Sequence, residues 1–434
     1  MTSVAASTAA ARTAPGMQRP LWVPLTTQHD FPDKSHTAVS AQGVHVSFED
    51  GQQRICAKSG LWNTNLGYGN PHIEAAITGE LRTASYLPLF RTSHSKAIEA
   101  SRALLSLPAH NFQRVVFSTS GGAANDAVMK LARQFFALNG QPERKLIVGL
   151  KSSYHGLTYG SQALSGDELG QAVYGVDLRY IRHIEFQDQG QELAQLMQRE
   201  GHRIAAVIVE PVLGSGAETV PDDFIASLQQ HRQDHGFLLV ADEVATGFGR
   251  VGGWFASDEW LEAPDVIVTS KGLTNGTSAC AALLIAQRVT QLFDASESVF
   301  VHGETQAGTP PTCAAILGTI AEMTRLDHNT LSKQVAAGLN KLIEELQGNG
   351  GVGNSTGRGC MRGVKLNRGN GMPLASEGVL AVVRSIHEAG AIVQPGPGRI
   401  QLLPALIYTE ENFAELQAAI KAGLAEAEAD GVFR

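Results

Sequence analysis

The sequence predicts an α/β fold with two parts: a large domain with a mainly parallel sheet covered by helices, and a small α+β domain from the N- and C-terminal segments. The chain has 434 residues, which exceeds one simple core and fits two or three domains. Its 43% hydrophobic residues, 18% charged residues and 46 glycines are typical of an ordered α/β protein. Apolar strand candidates alternate with helix patterns, and this alternation favours a parallel sheet with helices on both faces.

The chain divides into four segments. Residues 1–20, rich in Ala, Ser and Thr, predict a disordered tail, and residues 21–69 predict the N-terminal part of the small domain, where a strand candidate at 43–48 precedes an Asp-Gly turn. Residues 70–325 predict the large domain, with strand candidates at 115–117, 146–148, 205–209, 237–241, 266–268 and 280–285. Residues 326–434 predict the remainder of the small domain, with a glycine-rich turn at 348–353, a strand at 362–366 and a closing helix at 410–429.

Charge and cysteine usage disfavour several classes of protein. The net charge is −8 without a basic block, which argues against nucleic acid or an anionic membrane as partner. The four cysteines lack metal-ligand spacing and therefore indicate reduced thiols and no metal. No run approaches the ~20 apolar residues of a membrane span, and the first twenty residues contain no continuous apolar stretch of the kind a secretory signal has. We expect a cytoplasmic protein, with an organellar transit peptide as the alternative for the acid-poor start.

One acid and one lysine stand at the ends of two predicted strands. Asp242 closes the apolar run 237–241, and Lys271 follows the run 266–268. Open α/β sheets place their ligands at the carboxyl ends of such strands. A carboxylate opposite a lysine amine suits an enzyme that uses pyridoxal 5'-phosphate (PLP), in which the lysine holds the aldehyde as a Schiff base and the acid pairs with the pyridinium nitrogen. The pair therefore predicts carbonyl and amine chemistry with Asp242 and Lys271 as catalytic residues.

A strand followed by a small-residue turn predicts an anion site at residues 115–122. The next residues form one apolar helical stripe: Val128, Leu131, Phe135 and Leu138. Ser120, Gly121 and Gly122 would then lie at a helix N-terminus, where free N–H groups and the helix dipole favour a phosphate. The alternative is an ordinary N-cap with a glycine turn.

Two further segments follow strand candidates. Tyr154 can stack on a flat cofactor and His155 can orient it, although packing or a surface position is the alternative for this pair. Glu210, before Pro211, places another acid on the same sheet edge, and its alternative is a strand-end acid that faces water.

Residues 247–252 match the dinucleotide pattern GxGxxG. The match is weak, because five residues separate its first glycine from the strand and no helical pattern starts at its third. The sequence therefore disfavours a nicotinamide or flavin cofactor.

With these motifs, the chain resembles the class III PLP-dependent aminotransferases of fold type I over nearly its whole length. The family's motifs resemble residues 66–71 (glycine-proline stretch), 120–122 (phosphate cup), 154–156 (stacking segment), 242–250 (acid signature), 270–272 (lysine segment) and 302–305 (HGxT segment).

The resemblance implies a cofactor, a partner and residue roles. The partner is a second copy: a homodimer with both sites at the interface, in which Thr305 reaches the phosphate of the neighbouring subunit. Lys271 would bind PLP and move a proton, Asp242 would keep the ring nitrogen protonated, and Tyr154 and Val244 would enclose the ring. The implied cofactor-binding residues are Ser120, Gly121, Gly122, Tyr154, His155, Glu210, Asp242, Val244, Lys271 and Thr305.

The chain departs from the family where many members bind an α-carboxylate. Gln401 stands in place of the arginine, and a neutral amide cannot form a charge-assisted bidentate pair with a carboxylate. Ser215 stands in place of the acid that gates this arginine. Arg399 could substitute by swinging in, and a solvated loop arginine is the alternative. Further departures are Ala123, Gln306 and Thr309.

A second resemblance concerns the substrate pocket. Residues 60–62, Gly-Leu-Trp, resemble the pocket of ω-transaminases, with Leu61 and Trp62 as apolar walls and core packing as the alternative for Trp62. The expected substrate-binding residues are Leu61, Trp62, Tyr154, Ser215 and Gln401.

Together these features predict an aminotransferase that moves an amino group from a donor to a ketone or aldehyde, by a ping-pong mechanism through pyridoxamine phosphate. Its specific substrate is expected to lack a conventionally bound α-carboxylate. The candidates are an ω-amine, a diamine, or the carbonyl of a secondary-metabolism or peptide intermediate, as in daptide-type tailoring enzymes. An aminomutase, racemase or decarboxylase on the same fold is the alternative function.

Overall fold

The computed structural model describes residues 21–27 and 33–434, so the predicted tail at 1–20 lies outside the described residues. The strands in this part of the chain are β1 (Ala38–Gln42), β2 (His45–Phe48), β3 (Gln53–Cys56), β4 (Phe112–Ser118), β5 (Leu146–Leu150), β6 (Ile181–Ile184), β7 (Ile204–Val209), β8 (Val212–Leu213), β9 (Glu218–Thr219), β10 (Leu238–Asp242), β11 (Val266–Ser270), β12 (Ala281–Ala286), β13 (Val352–Arg358), β14 (Met361–Leu366), β15 (Ala391–Ile392), β16 (Gln394–Gly396) and β17 (Arg399–Leu402).

The helices are α1 (Ser59–Trp62), α2 (Pro71–Thr83), α3 (Ser95–Leu105), α4 (Gly121–Leu138), α5 (Tyr159–Leu164), α6 (Gln171–Tyr174), α7 (Gln191–Glu200), α8 (Asp222–His235), α9 (Gln287–Ala295), α10 (Pro310–Arg325), α11 (His328–Leu346), α12 (Ser376–Glu388) and α13 (Glu410–Ala429). Within the described ranges, no helix has both the length and the apolar composition that a membrane crossing requires.

Seven strands form the central sheet, in the order β4-β12-β11-β10-β7-β5-β6. β10 is parallel to β7 and β11, and β5 is parallel to β7 and β6. β12 is antiparallel to both β11 and β4, so β4 runs in the same direction as β11. The predicted mainly parallel sheet is therefore confirmed, and the carboxyl ends of β4, β10 and β11 lie at one edge.

Helices cover both faces of this sheet, as predicted. Every residue of β5, β10 and β11 is buried, which is typical of strands between two helical layers. On one face α4 packs Val128, Leu131 and Phe135 against the strands. On the other face α7 and α8 contribute Leu196 and Phe224.

Two smaller sheets are built from the ends of the chain. One has the order β1-β2-β3-β15, in which β15 pairs in parallel with β3. The other has the order β13-β14-β17-β16, and its β14 and the final helix α13 correspond to the predicted strand at 362–366 and closing helix at 410–429. N- and C-terminal segments thus share one sheet, while the limits of the two domains stay a prediction.

Arg250 is a fully buried cation that connects three parts of the chain. Its guanidinium donates to the carbonyl groups of Pro404 and Cys360 and to the side-chain oxygen of Asn65. Asn65 in turn donates to the Phe248 carbonyl at 2.7 Å. Burial lowers the pKa of Arg250 to about 10, so the side chain remains charged at neutral pH. One buried side chain therefore holds the N-terminal segment, the loop after β10 and the C-terminal segment together.

Replacing Arg250 with leucine should destabilise the protein, because three buried acceptors would lose their donors. We expect a loss of about 3 kcal/mol or more in the free energy of unfolding, since each unsatisfied buried group costs roughly 1–3 kcal/mol. Thermal or chemical denaturation measures the change. Arg179→Leu is the control, because Arg179 pairs with Asp177 at the surface and its side chain is 80% exposed. An Arg250→Leu protein that melts with the wild type would contradict this role.

Candidate active site

A cavity of about 530 Å³ lies at the carboxyl edge of the central sheet. Nine residues predicted from the sequence line it: Ser120, Gly121, Gly122, Tyr154, His155, Glu210, Asp242, Val244 and Lys271. The edge of the sheet therefore gathers the acid, the lysine, the glycine turn and the aromatic segment in one place.

Lys271 follows β11 with a left-handed backbone, φ 48°. This conformation is uncommon for a residue with a side chain and costs on the order of 1 kcal/mol. Ser270 Oγ donates to the Cys280 carbonyl at 2.6 Å and fixes the end of the strand. Burial lowers the pKa of Lys271 to about 8, although the charges of Glu210 and Asp242 act in the opposite direction. Its Nζ lies 4.3 Å from the centroid of the Trp62 ring.

Asp242 is a buried carboxylate with three partners. Its Oδ2 lies 2.6 Å from His155 Nδ1 and accepts from Asn125 Nδ2 at 2.8 Å, and its Oδ1 accepts from the Val244 N–H at 3.1 Å. Burial lowers the pKa of His155, but the hydrogen bond and charge of Asp242, with the charge of Glu210, outweigh it and raise the pKa. The histidine next to the acid is therefore biased toward its charged form.

Asn125 is a site residue that the sequence reasoning missed. It is completely buried on α4, and it also donates to the His155 carbonyl at 3.1 Å. Its spacing could have indicated its burial: Asn125 is three residues before Val128 and therefore places a polar side chain on the apolar stripe of this helix.

Glu210, at the end of β7, accepts hydrogen bonds from two backbone groups rather than facing water. The N–H of Tyr154 donates at 2.8 Å and that of Gly214 at 2.9 Å. Burial raises the pKa of Glu210 to about 7. Glu210 thus joins the Tyr154 segment to the β8–β9 hairpin beside the cavity.

The glycine turn before α4 brings bare backbone to the cavity. Ser120 is the N-cap, and its Oγ accepts from the Ala123 N–H at 3.2 Å. A Cβ at Gly121 would lie 3.1 Å from both methyl groups of Val244, and one at Gly122 would lie 3.2 Å from Ser161 Oγ. The cap and the anion site suggested by the sequence are compatible, because the first amides of an 18-residue helix have no partner within the helix.

Five predicted residues are not among those that line this cavity. Thr305 is exposed, and its carbonyl accepts from Tyr86 Oη at 3.0 Å. Leu61 is 53% exposed. Ser215 is half-buried and donates to the Ser152 carbonyl, whereas Gln401 is buried, with its Oε1 lacking a hydrogen-bond partner among the described residues. Trp62 is buried in a small apolar cluster, and its ring centroid lies 4.3 Å from Lys271 Nζ.

Arg399 is held by an ion pair and two hydrogen bonds in this structure. It forms an ion pair with Glu218 and donates to the Gly216 carbonyl at 2.9 Å and to Thr356 Oγ1 at 2.8 Å. Its side chain is 12% exposed. The alternative of a solvated loop arginine is therefore wrong, because the β8–β9 hairpin and β13 hold the side chain, while its swing toward a substrate stays a prediction.

Comparison with known proteins shows similarity over nearly the full chain. The sequence model of a family described as aminotransferase class-III matches residues 30–424. An omega-aminotransferase of Caulobacter vibrioides is 27% identical over 423 residues, which cover 92% of this chain and 96% of that protein. A putrescine–pyruvate aminotransferase of Pseudomonas aeruginosa is 26% identical, with 91% of each chain covered. An acetylornithine aminotransferase of Halalkalibacterium halodurans is 31% identical over 90% of this chain and 96% of that protein.

Solved structures give the same result. The PLP-bound structure of an amine transaminase from an uncultivated Pseudomonas species superimposes with a TM-score of 0.88 at 26% identity, and covers 95% of this chain and 99% of that one.

Asn125→Leu should destabilise the folded protein, because Asp242 and the His155 carbonyl each lose a donor inside the protein. We expect the free energy of unfolding to fall by about 1–3 kcal/mol, measured by denaturation of the cofactor-free protein. Asn139→Leu, at the exposed end of the same helix, is the matched control and should have no such effect. Equal stability of the two variants would rule out support of Asp242 by Asn125.

Proposed function

The chain belongs to the class III aminotransferases, and on that premise we propose that it transfers an amino group from an amine to a ketone or aldehyde, with a specific substrate that lacks a conventionally bound α-carboxylate. The observation that carries the proposal is Gln401, a buried neutral amide in the position where many members of the family have arginine.

The enzyme uses PLP, as class III aminotransferases do. The residues of the cavity fit this cofactor: Gly121 and Gly122 present bare backbone at a helix N-terminus, and a buried acid and a half-buried lysine stand at the ends of neighbouring strands. When bound, PLP takes up the amino group and delocalises the negative charge that develops on the reacting carbon.

We assign the protein's own groups as follows. Lys271 Nζ would hold the cofactor through its aldehyde and would move a proton to and from the reacting carbon. Asp242, held by His155 and Asn125, would pair with the ring nitrogen and keep it protonated. Tyr154 and Val244 would enclose the ring, and the helix N-terminus at 120–122 would bind the phosphate. Donor and acceptor then use the same site in succession, which is a ping-pong scheme.

The surroundings of Gln401 support a substrate without a bound carboxylate. Ser215 carries no charge, and the nearby cation Arg399 already has Glu218 as its partner. Gln401 itself is hydrogen-bonded weakly, at 3.5 Å, to the Pro395 carbonyl. Arg399, paired with Glu218 in this structure, therefore does not offer a free guanidinium at this position.

Two similar proteins, an omega-aminotransferase and a putrescine–pyruvate aminotransferase, have names that agree with an amine or diamine donor. Trp62, next to Lys271, supplies the apolar wall that an ω-amine chain requires.

We also propose a cytoplasmic homodimer. Thr305 is exposed and absent from the walls of its own cavity, as a residue reserved for the neighbouring subunit would be. Apolar side chains at the surface support an interface: Tyr86, Phe90, Leu157 and Tyr159. The four cysteines are unpaired and buried, which agrees with a reducing compartment.

A matched pair of donors tests the substrate assignment. Ornithine is putrescine with an added α-carboxylate, so we expect kcat/KM for putrescine to exceed that for ornithine by about tenfold or more, because the neutral site gives the carboxylate no charged partner. Stopped-flow absorbance of the bound cofactor, recorded with donor alone, measures the first half-reaction. Gln401→Arg should reduce the ratio of kcat/KM for putrescine to kcat/KM for ornithine, while Gln291→Arg on the exposed face of α9 should leave this ratio unchanged. Preference for ornithine in the wild type would refute the assignment.

The lowered pKa of Lys271 should appear in the uptake of PLP. Only a neutral amine attacks the aldehyde, and burial lowers the pKa of this amine from 10.5 to about 8. The rate of covalent PLP uptake by cofactor-free protein should therefore rise with pH around a midpoint of about 8. Lys271→Ala should fold, by circular dichroism, and take up no PLP covalently. A midpoint near 10.5, or covalent uptake by Lys271→Ala, would contradict the role given to this lysine.

A further inference from the structure

Glu304 lies against the end of β4, at the border of the phosphate cup formed by Ser120, Gly121 and Gly122. Its carboxylate accepts hydrogen bonds from the hydroxyl groups of Ser118 and Thr119 and, at 3.2 Å, from the Thr119 N–H. Thr119 lines the same cavity as the cup. The chain thus places one of its own carboxylates on donors that adjoin the phosphate position.

The backbone that carries Glu304 is fixed on helix α4. Lys130 Nζ donates to the Val301 carbonyl at 2.7 Å, and Gln134 Nε2 donates to the Val299 carbonyl at 2.9 Å. The Glu304 side chain is 22% exposed, so water screens it only in part. Its position near the cup is therefore a property of the fold and not of a mobile side chain at the surface.

No lysine or arginine in residues 21–27 and 33–434 forms an ion pair with Glu304. The basic group recorded near it is His302, whose Nε2 lies 4.0 Å from the carboxylate. Burial, with the charge of Lys130, lowers the pKa of His302, so this ring is mainly neutral at pH 7. Asp126 adds a second acid in the same region, since the charge of Glu304 contributes to raising the pKa of Asp126 after the larger effect of burial. Within the described residues of one chain, no lysine or arginine therefore pairs with the Glu304 carboxylate.

We propose that Glu304 weakens the binding of PLP by acting on its phosphate group, and so makes the cofactor readily exchangeable. Two effects combine. A carboxylate next to the cup repels a doubly charged phosphate through a partly buried region, and it also occupies the hydroxyl and amide donors of Thr119 that the phosphate would otherwise use. The inference rests on the cofactor of the family and is independent of which amine or ketone the enzyme accepts.

The test compares Glu304→Gln with the wild type. Glutamine keeps an acceptor oxygen for Ser118 and Thr119 and removes the charge. Holoenzyme is diluted and free PLP is measured at equilibrium without substrate, which gives a Kd. Loss of the repulsion between this carboxylate and the phosphate predicts a Kd for PLP at least about threefold lower in Glu304→Gln than in the wild type. Glu304→Ala also removes the charge and should share the direction of change, and Glu304→Asp should bring the Kd back toward that of the wild type.

Two controls separate charge from structural disturbance. Pyridoxal, which lacks the phosphate, should bind the cofactor-free wild type and Glu304→Gln equally. Glu297→Gln removes one charge at an exposed position of the same segment and should leave the Kd for PLP unchanged. An unchanged or higher Kd for PLP in both neutral variants, or an equal gain for pyridoxal, would overturn the proposal. Structural damage alone weakens binding, so a gain restricted to PLP cannot result from it.

Discussion

The structure of the site depends on the Asp242 carboxylate, which is 2% exposed and accepts hydrogen bonds from three separate segments of chain. A buried carboxylate requires partners, because desolvation costs several kcal/mol per ion. Here the partners come from α4, from the loop after β5 and from the chain just beyond β10. Satisfying this one charge therefore fixes the relative positions of the glycine turn, the Tyr154-His155 segment and the end of the central strand.

Arg250 plays the corresponding part for the outer segments of the fold. Its acceptors among the described residues are neutral: two carbonyl groups and an amide oxygen from distant parts of the chain stabilise its charge. Such a residue contributes little stability through packing alone. It stabilises the fold through the hydrogen bonds that its N–H groups donate in a fixed geometry. Asp242 organises the cavity at the sheet edge, and Arg250 holds the terminal segments together next to it.

Much of the fold was predictable because the strands that form it are buried on both faces, and continuous apolar runs such as those of β7 and β10 are typical of that environment. β6 was missed because this edge strand carries Arg182 and His183 between two isoleucines. The cluster at the sheet edge followed from strand ends, but Asn125 did not, since a lone amide in an apolar helix stripe carries no motif. The position of Arg399 was unpredictable, because it depends on Glu218 and Thr356, which are distant in sequence. The roles of the site residues stay predictions.

The pairing of β15 with β3 has a consequence for how the protein is made. Ile55 and Cys56 lie opposite Ala391 and Ile392, so one edge of the first small sheet stays open until almost the entire chain has been synthesised. At roughly 5–20 residues per second, the delay is on the order of tens of seconds. During this time β3 exposes unpaired backbone groups, which is the feature that promotes edge-to-edge association. The nascent chain therefore still carries an open strand edge on the ribosome after the central sheet can form.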